Sequence, residues 1–239
     1  MKVSCYRKDG EYTYALGATV TMEYLNKKIE DVKCVFIHPD FDSGDTKTRI
    51  YEICGRNAIP VSVEEKPFNI LSKKGNCFVI AMLAKRMTPI EPGNHMVLVN
   101  PSNSGNMGTI IRSCLGFGVT DIAIVPPAAD HYDPKVIRAS MGACASVRIE
   151  VFSSFEAYMA RFPENNLYPF MLDGSTILQD TSIDKPFSLI MGNEAAGLPS
   201  SFASIGRPVR IRHSEDIDSL NITIAAGIGL YEATREDLR

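Results

Sequence analysis

Three stretches of the sequence concentrate polar residues whose types and spacing suit chemistry. The first is Asn100-Pro-Ser-Asn-Ser-Gly-Asn-Met-Gly-Thr-Ile-Ile-Arg112, a loop rich in Ser, Asn and Gly that runs into an apolar-periodic segment. A helix starting near Ser104 to Asn106 presents unpaired backbone N–H groups, which suit an anion. Arg112 follows Gly108 by one turn, and helical side chains lean toward the N-terminus. The spacing therefore lets its guanidinium pass over Gly108 and reach the loop near Asn106. Met107, Ile110, Ile111, Cys114 and Leu115 mostly share the opposite, buried side. An arginine beside such a face is equally an ordinary surface residue, and spacing leaves both readings open. The stretch has neither G-x-G-x-x-G nor G-x-x-x-x-G-K-[ST]. The next strand, "DIAIVPP", ends in proline, where a dinucleotide site needs an acidic residue for the ribose.

The second stretch, "LIMGNEAAGLP", is an apolar strand entering Gly192, Asn193, Glu194 and Gly197. Glycines around one carboxylate make a tight turn that brings backbone close to a ligand. An ordinary strand-to-helix turn, with Glu194 near a helix start, accounts for it as well. The third is "VRIRHSEDIDSLNITIAAGIGLYEATR". Asp218 or Ser219 can cap the helix that follows. Asn221, read as one turn in, is out of place in a helix interior. Ala225, Ala226, Gly227 and Gly229 form a small-residue face that fits either intrachain packing or a second subunit.

These stretches need a framework, and the apolar pattern supplies one. In the first ninety residues "GATVTMEYLNKK" and "TKTRIYEICGRN" read as helices, with "VKCVFIHP", "IPVSV" and "NCFVIAML" as strands. The connector "AKRMTPIEPGN", with two prolines and a glycine, reads as a linker. Beyond it, "HMVLVN", "DIAIVPP", "VRIEVF", "YPFML", "FSLIMG" and "PVRIR" read as strands. "SGNMGTIIRSCLGFG", "DPKVIRASMGA", "SSFEAYMARF" and "SLNITIAAGIGLYEATRE" read as helices. Short apolar runs alternating with helices predict an α/β fold whose sheet is mostly parallel, with helices on both faces. Two domains follow, 1–90 and 91–239.

Composition narrows the classes. The chain has 239 residues, 45% apolar and 22% charged, so it is a globular protein rather than a disordered, collagenous or disulfide-scaffold one. No apolar run reaches membrane-spanning length, and the first residues, MKVSCYRKDGEYTY, show no secretory signal. A cytoplasmic protein with no membrane partner is expected. The six cysteines form no C-x-x-C pair, and neither they nor the four histidines are spaced as metal ligands, so no metal is expected. Net charge is −3, distributed as +2 over residues 1–94 and −5 over 95–239. The pairs Lys27-Lys28, Lys73-Lys74 and Lys85-Arg86 suit phosphates or plain solvated surface.

Taken together and in this order, "NPSNSGNMGTIIRSCLGFGV", "LIMGNEAAGLP" and "IRHSEDIDSLNITIAAGIGLYEA" resemble the three motifs of the SpoU/TrmH branch of the SPOUT RNA methyltransferases, over about residues 95–235. Residues 15–85 look like the small substrate-binding domain that precedes the catalytic domain in many such enzymes. The resemblance implies a SPOUT α/β-knot, with a deep C-terminal trefoil knot, preceded by a small α/β RNA-binding domain. The knot is an exception to the rule that chains do not thread loops. It further implies S-adenosyl-L-methionine as cofactor, a homodimer, and methyl transfer to a ribose 2′-hydroxyl of structured RNA, rRNA or tRNA.

Carried over residue by residue, Asn106 and Arg112 match the first-motif catalytic positions, Glu194 the second-motif carboxylate, and Ser219 and Asn221 the third motif. Gly192, Ile211 and Leu220 match backbone contacts to the cofactor, with Leu172 and Gly174 on the neighbouring knot loop. Where the family commonly has Ile-Pro-Met, this chain has Ile211-Arg212-His213. Two other readings are a SPOUT enzyme that methylates a base and a non-catalytic RNA-binding protein with a vestigial knot. Arg112 and the Ser-Leu-Asn of the third motif speak against the first, and the full motif set against the second.

Overall fold

A computed structural model describes residues 3–72, 75–173 and 176–237. The chain forms two compact units, one of residues 1–86 with 130–146 and the other of 87–129 with 147–239.

The first unit begins with β1 (Tyr12–Leu16), α1 (Ala18–Lys27), β2 (Val32–Ile37), α2 (Gly44–Arg56), β3 (Val61–Val63), α3 (Lys66–Leu71) and β4 (Val79–Ala84). Its sheet runs β1-β4-β2-β3, parallel only between β2 and β3. α1 buries Val20, Thr21, Tyr24 and Leu25, a single stripe at helical spacing. β1 and α3 were not among the elements read from the pattern. β1 has only five residues, and its pairing with β4, distant in sequence, decides its state.

The second half of the chain continues with β5 (His95–Val99), α4 (Ser104–Gly116), β6 (Asp121–Val125), α5 (Pro134–Ala139), β7 (Arg148–Val151), α6 (Phe155–Arg161), β8 (Asn166–Pro169), β9 (Thr176–Ile177), β10 (Phe187–Met191), β11 (Val209–Arg210) and α7 (Ile222–Thr234). Five strands form a sheet in the order β7-β6-β5-β10-β8, parallel throughout, as the apolar runs predict. β9 and β11 form a small parallel pair. Val97, Val99, Ala123, Val125 and Ile190 pack with Phe155 and Tyr158 of α6 and with Phe162 just after it. The alternate residues Met96, Leu98, Ile122, Ile124, Leu189 and Met191 are buried on the other face; α7 packs on β10, and α4 packs against α7.

α5 departs from the two-domain reading. Its segment, placed by the sequence pattern in 91–239, belongs to the first unit. The Thr13 hydroxyl donates to the Tyr132 carbonyl at 2.5 Å, Tyr132 Oη donates to the Arg86 carbonyl at 2.7 Å, and the Tyr6 hydroxyl donates to Asp130. Such isolated side-chain bonds leave no periodic trace in sequence. Lys85 and Arg86 are also spent structurally. Lys85 Nζ donates to the carbonyls of Arg7 and Lys8 at 2.9 Å each, and Arg86 pairs with the buried Asp31 at 3.0 Å. Lys73-Lys74 lies outside the described residues.

Past Ala84, the last residue of β4, the stretch read as a linker lacks regular structure, yet its second half is tied into the second unit. Ile90 is buried and its N–H donates to Glu150 at 2.9 Å, while the Glu91 N–H donates to Asp121 at 2.9 Å. Next to it lies a buried polar chain. His95 Nε2–H donates to the Glu91 carbonyl at 2.7 Å, so Nδ1 accepts from Tyr158 Oη, also at 2.7 Å. With that proton committed, Tyr158 Oη accepts from the Ser188 hydroxyl at 2.5 Å, and Ser188 Oγ accepts from Asn165 at 3.0 Å. Burial lowers the His95 pKa below its ordinary value. A folded-state value below the unfolded one means that unfolding takes up a proton between the two. Stability is then complete above about pH 6.5 and falls below it, by at most about 1.4 kcal/mol per pH unit. Urea unfolding at pH 7.5 and 5.5 should show this loss, and a His95→Asn variant should lack it.

Candidate active site

In a parallel sheet, ligands collect outside the carboxyl ends of strands, where neighbouring connections diverge. β5 and β10 are such neighbours, and the first two polar stretches follow them. After β5 the chain turns through Asn100, at φ +53°, to Asn103, the N-cap of α4. Asn103 Oδ1 accepts from the N–H groups of Gly105 (2.8 Å) and Asn106 (3.0 Å). After β10 comes Gly192, where a Cβ would lie 2.3 Å from the Gly197 backbone. Only glycine fits that close approach.

The two turns meet through Glu194. Its Oε2 accepts from the Ser102 N–H at 3.0 Å and the Ser102 hydroxyl at 2.8 Å. Its Oε1 accepts from the Asn103 N–H at 3.0 Å and Asn106 Nδ2 at 3.4 Å. The amides at the start of α4 are thus taken by Asn103, and the Glu194 carboxylate takes those of Ser102 and Asn103 just ahead of the helix. Burial by itself would raise the Glu194 pKa, but the bonds from Ser102 and Asn103 outweigh it and hold the carboxyl below its ordinary value.

Beside this junction lies a cavity of about 680 Å³, formed by residues 170–173, 191–198, 209–215 and 217–220 together with Ile222 and Ala225. Its size suits a small molecule. Gly192, Ile211, Leu220 and Leu172 all line it, as do Glu194 and Ser219. Gly174 lies outside the described residues. Arg212 lines it too, but its guanidinium turns to Asp180 at 3.1 Å in an exposed pair. Gln179 bonds both backbone groups of Arg212, each at 3.3 Å, and so extends the β9–β11 pairing along the cavity wall. His213 Nδ1–H donates to the Ile211 carbonyl at 2.8 Å.

Two of the proposed residues stand elsewhere. Arg112 is exposed on α4 and, among the described residues, makes no hydrogen bond or ion pair, so the expected reach to the Asn106 loop is not made. Its five N–H donors are free for a ligand. Asn221 is not one turn into α7 but its N-cap, accepting from the Thr223 N–H at 2.8 Å and the Thr223 hydroxyl at 2.7 Å. Residues 218–220 stay outside the helix, which leaves Ser219 and Leu220 at the cavity. Sequence reasoning did not single out Ser102, Asn103 or Gln179. The Ser and Asn residues ahead of α4 carried a capping signal for the first two, and nothing marked Gln179.

Comparison with known proteins places this arrangement. Residues 93–231 match the SpoU rRNA Methylase family. A 23S rRNA (uridine(2479)-2′-O)-methyltransferase of Streptomyces viridochromogenes is 35% identical over 144 residues, covering 57% of this chain and 50% of its own length. A 23S rRNA (adenosine(1067)-2′-O)-methyltransferase of Streptomyces laurentii is 30% identical over 175 residues, covering 70% of this chain and 64% of that protein. The chain spans about half the length of the first two curated relatives it matches. Among solved structures, an AdoMet-bound rRNA methyltransferase from Sinorhizobium meliloti superposes with a TM-score of 0.82 at 26% identity, over 96% of this chain and 89% of that one. With the family matched across the β5–α4 loop, the β10 turn and most of α7, this chain belongs to the SpoU rRNA Methylase family.

Proposed function

We infer that the protein is an S-adenosyl-L-methionine-dependent methyltransferase acting on a ribose 2′-hydroxyl of rRNA or tRNA in the cytoplasm. The observation that carries this reading is the Glu194 junction, which ties the first two motifs together at the rim of the cavity. The cavity suits a nucleoside sulfonium. Leu172, Ile211 and Leu220 offer apolar surface to a base, and the backbone of 191–198 and 209–215 offers donors and acceptors to its edges. The donor, when bound, supplies an electrophilic methyl group.

The protein's own task is positioning, since in-line attack on a methyl group tolerates little misalignment. Arg112 presents a planar guanidinium fork, which grips the target phosphate and ribose. Glu194 and Asn106 set the loop from which α4 presents that arginine, and Asn221 sets the start of α7 beside Ser219. The third motif is read as the closing strand and helix of a trefoil knot around the donor. On α7, Ile224 (55% exposed) and Tyr231 (54% exposed) stand two turns apart, an apolar stripe that suits a second copy of the chain in a homodimer. Residues 1–90, with their slight basic excess, are read as the RNA-reading domain.

The test is incubation with labelled S-adenosylmethionine and unmodified ribosomal and transfer RNA, followed by mass mapping of the product. Label on a ribose 2′-oxygen supports the reading. Label on a base, or donor binding absent by calorimetry, overturns it.

A further inference from the structure

In the sequence Asn193 stands simply as part of a glycine-flanked turn, yet its side chain touches both halves of the site. On one side, its Oδ1 accepts from the N–H groups of Ala195 (2.9 Å) and Ala196 (3.0 Å). Its backbone pairs with Gly197 in both directions, at 3.0 and 2.9 Å. Residues 193–197 are thus closed into a loop by their own first residue, and all of them line the cavity. On the other side, its Nδ2 donates to the Asn100 carbonyl at 2.9 Å. It also lies 3.3 Å from Ser102 Oγ and 3.4 Å from Glu194 Oε2. The amide can face only one way. A flip would set its NH2 against two N–H donors and its oxygen against a carbonyl.

We propose that Asn193 is a positioning residue that couples the donor cavity to the first-motif loop. Its oxygen shapes the cavity wall, and its NH2 holds the Asn100–Ser102 backbone where Glu194 can receive the Ser102 and Asn103 amides. The proposal rests on the reading of this site as a methyl-transfer centre, and it assigns Asn193 no contact with reacting atoms.

Asn193→Asp separates the two halves. It keeps an acceptor for Ala195 and Ala196, removes the donor to Asn100, and sets a second carboxylate beside Glu194. Asn193→Ala removes both. For Asn193→Asp, S-adenosylmethionine affinity by calorimetry should stay within about threefold of wild type. Hydrogen exchange at the Ser102 and Asn103 amides should quicken by about tenfold or more. Methyl-transfer kcat on unmodified RNA should fall by about 10²-fold, the scale of an ångström-size misplacement. For Asn193→Ala, donor affinity should fall as well, by about tenfold.

Wild-type exchange and turnover in Asn193→Asp would overturn the coupling. So would equal losses of donor affinity in the two variants, which would confine Asn193 to the cavity wall. If the wild-type protein neither binds the donor nor transfers methyl, the functional reading fails, and amide exchange at Ser102 and Asn103 still decides the coupling.

Discussion

Arg112→Ala should lower methyl-transfer kcat by at least about 10²–10³-fold, the cost of losing one oriented electrostatic contact to the reacting group. Donor affinity and stability should stay near wild type. The structure makes this separation sharp. Arg112 is exposed and unpaired among the described residues, so its removal opens no cavity and strands no partner. Substitutions at such surface positions usually change stability by no more than about 0.5 kcal/mol. Arg112→Lys should restore little, because an ammonium cannot reproduce a planar two-pronged grip on phosphate and ribose. Single-turnover transfer at saturating donor, with calorimetric donor binding on the same samples, is the deciding measurement. Weakened donor binding with intact turnover at saturation would show that Arg112 serves the cofactor instead.

Glu194→Ala should behave in the opposite way, as a substitution of an internal strut. It leaves the N–H groups of Ser102 and Asn103 and the Ser102 hydroxyl without their acceptor. Breaking hydrogen bonds to a charged group costs about 1.5–3 kcal/mol, so denaturant unfolding should show a loss of about that size, together with reduced turnover. The pH dependence has a definite sign. Because the carboxyl is held below its ordinary value in the folded protein, unfolding takes up a proton on the acid side. The Glu194 contribution is complete above about pH 4.5 and is lost as pH falls through the lower folded-state value. Glu194→Ala should lack that acid-side loss. An unchanged acid limb in the variant would mean that the Ser102 and Asn103 bonds contribute nothing to stability.

Much of the site-bearing unit was legible because its information is local. β5, β6 and β10 are apolar runs of strand length, and α4 repeats its buried residues at helical spacing behind a Ser-, Asn- and Gly-rich start. The three motifs depend on order and spacing, which a linear chain displays directly. They sufficed for the family resemblance and picked out Gly192, Ile211 and Leu220, which the fold gathers around one cavity together with Leu172 of the neighbouring loop.

Tertiary structure alone decided who partners whom. Glu194 could have been read at the start of the helix nearest in sequence. It caps the approach to α4 instead, about ninety residues earlier in the chain, because β10 lies beside β5. Asn221 became a cap rather than an interior residue, residues 130–146 joined the first unit, and Arg112 stands exposed and, among the described residues, unbonded. Periodicity records which face of an element is buried, since every burial repeats along the chain. A single hydrogen bond between distant loops occurs once and leaves no pattern, so only the folded arrangement of strands decides which carboxylate meets which amide.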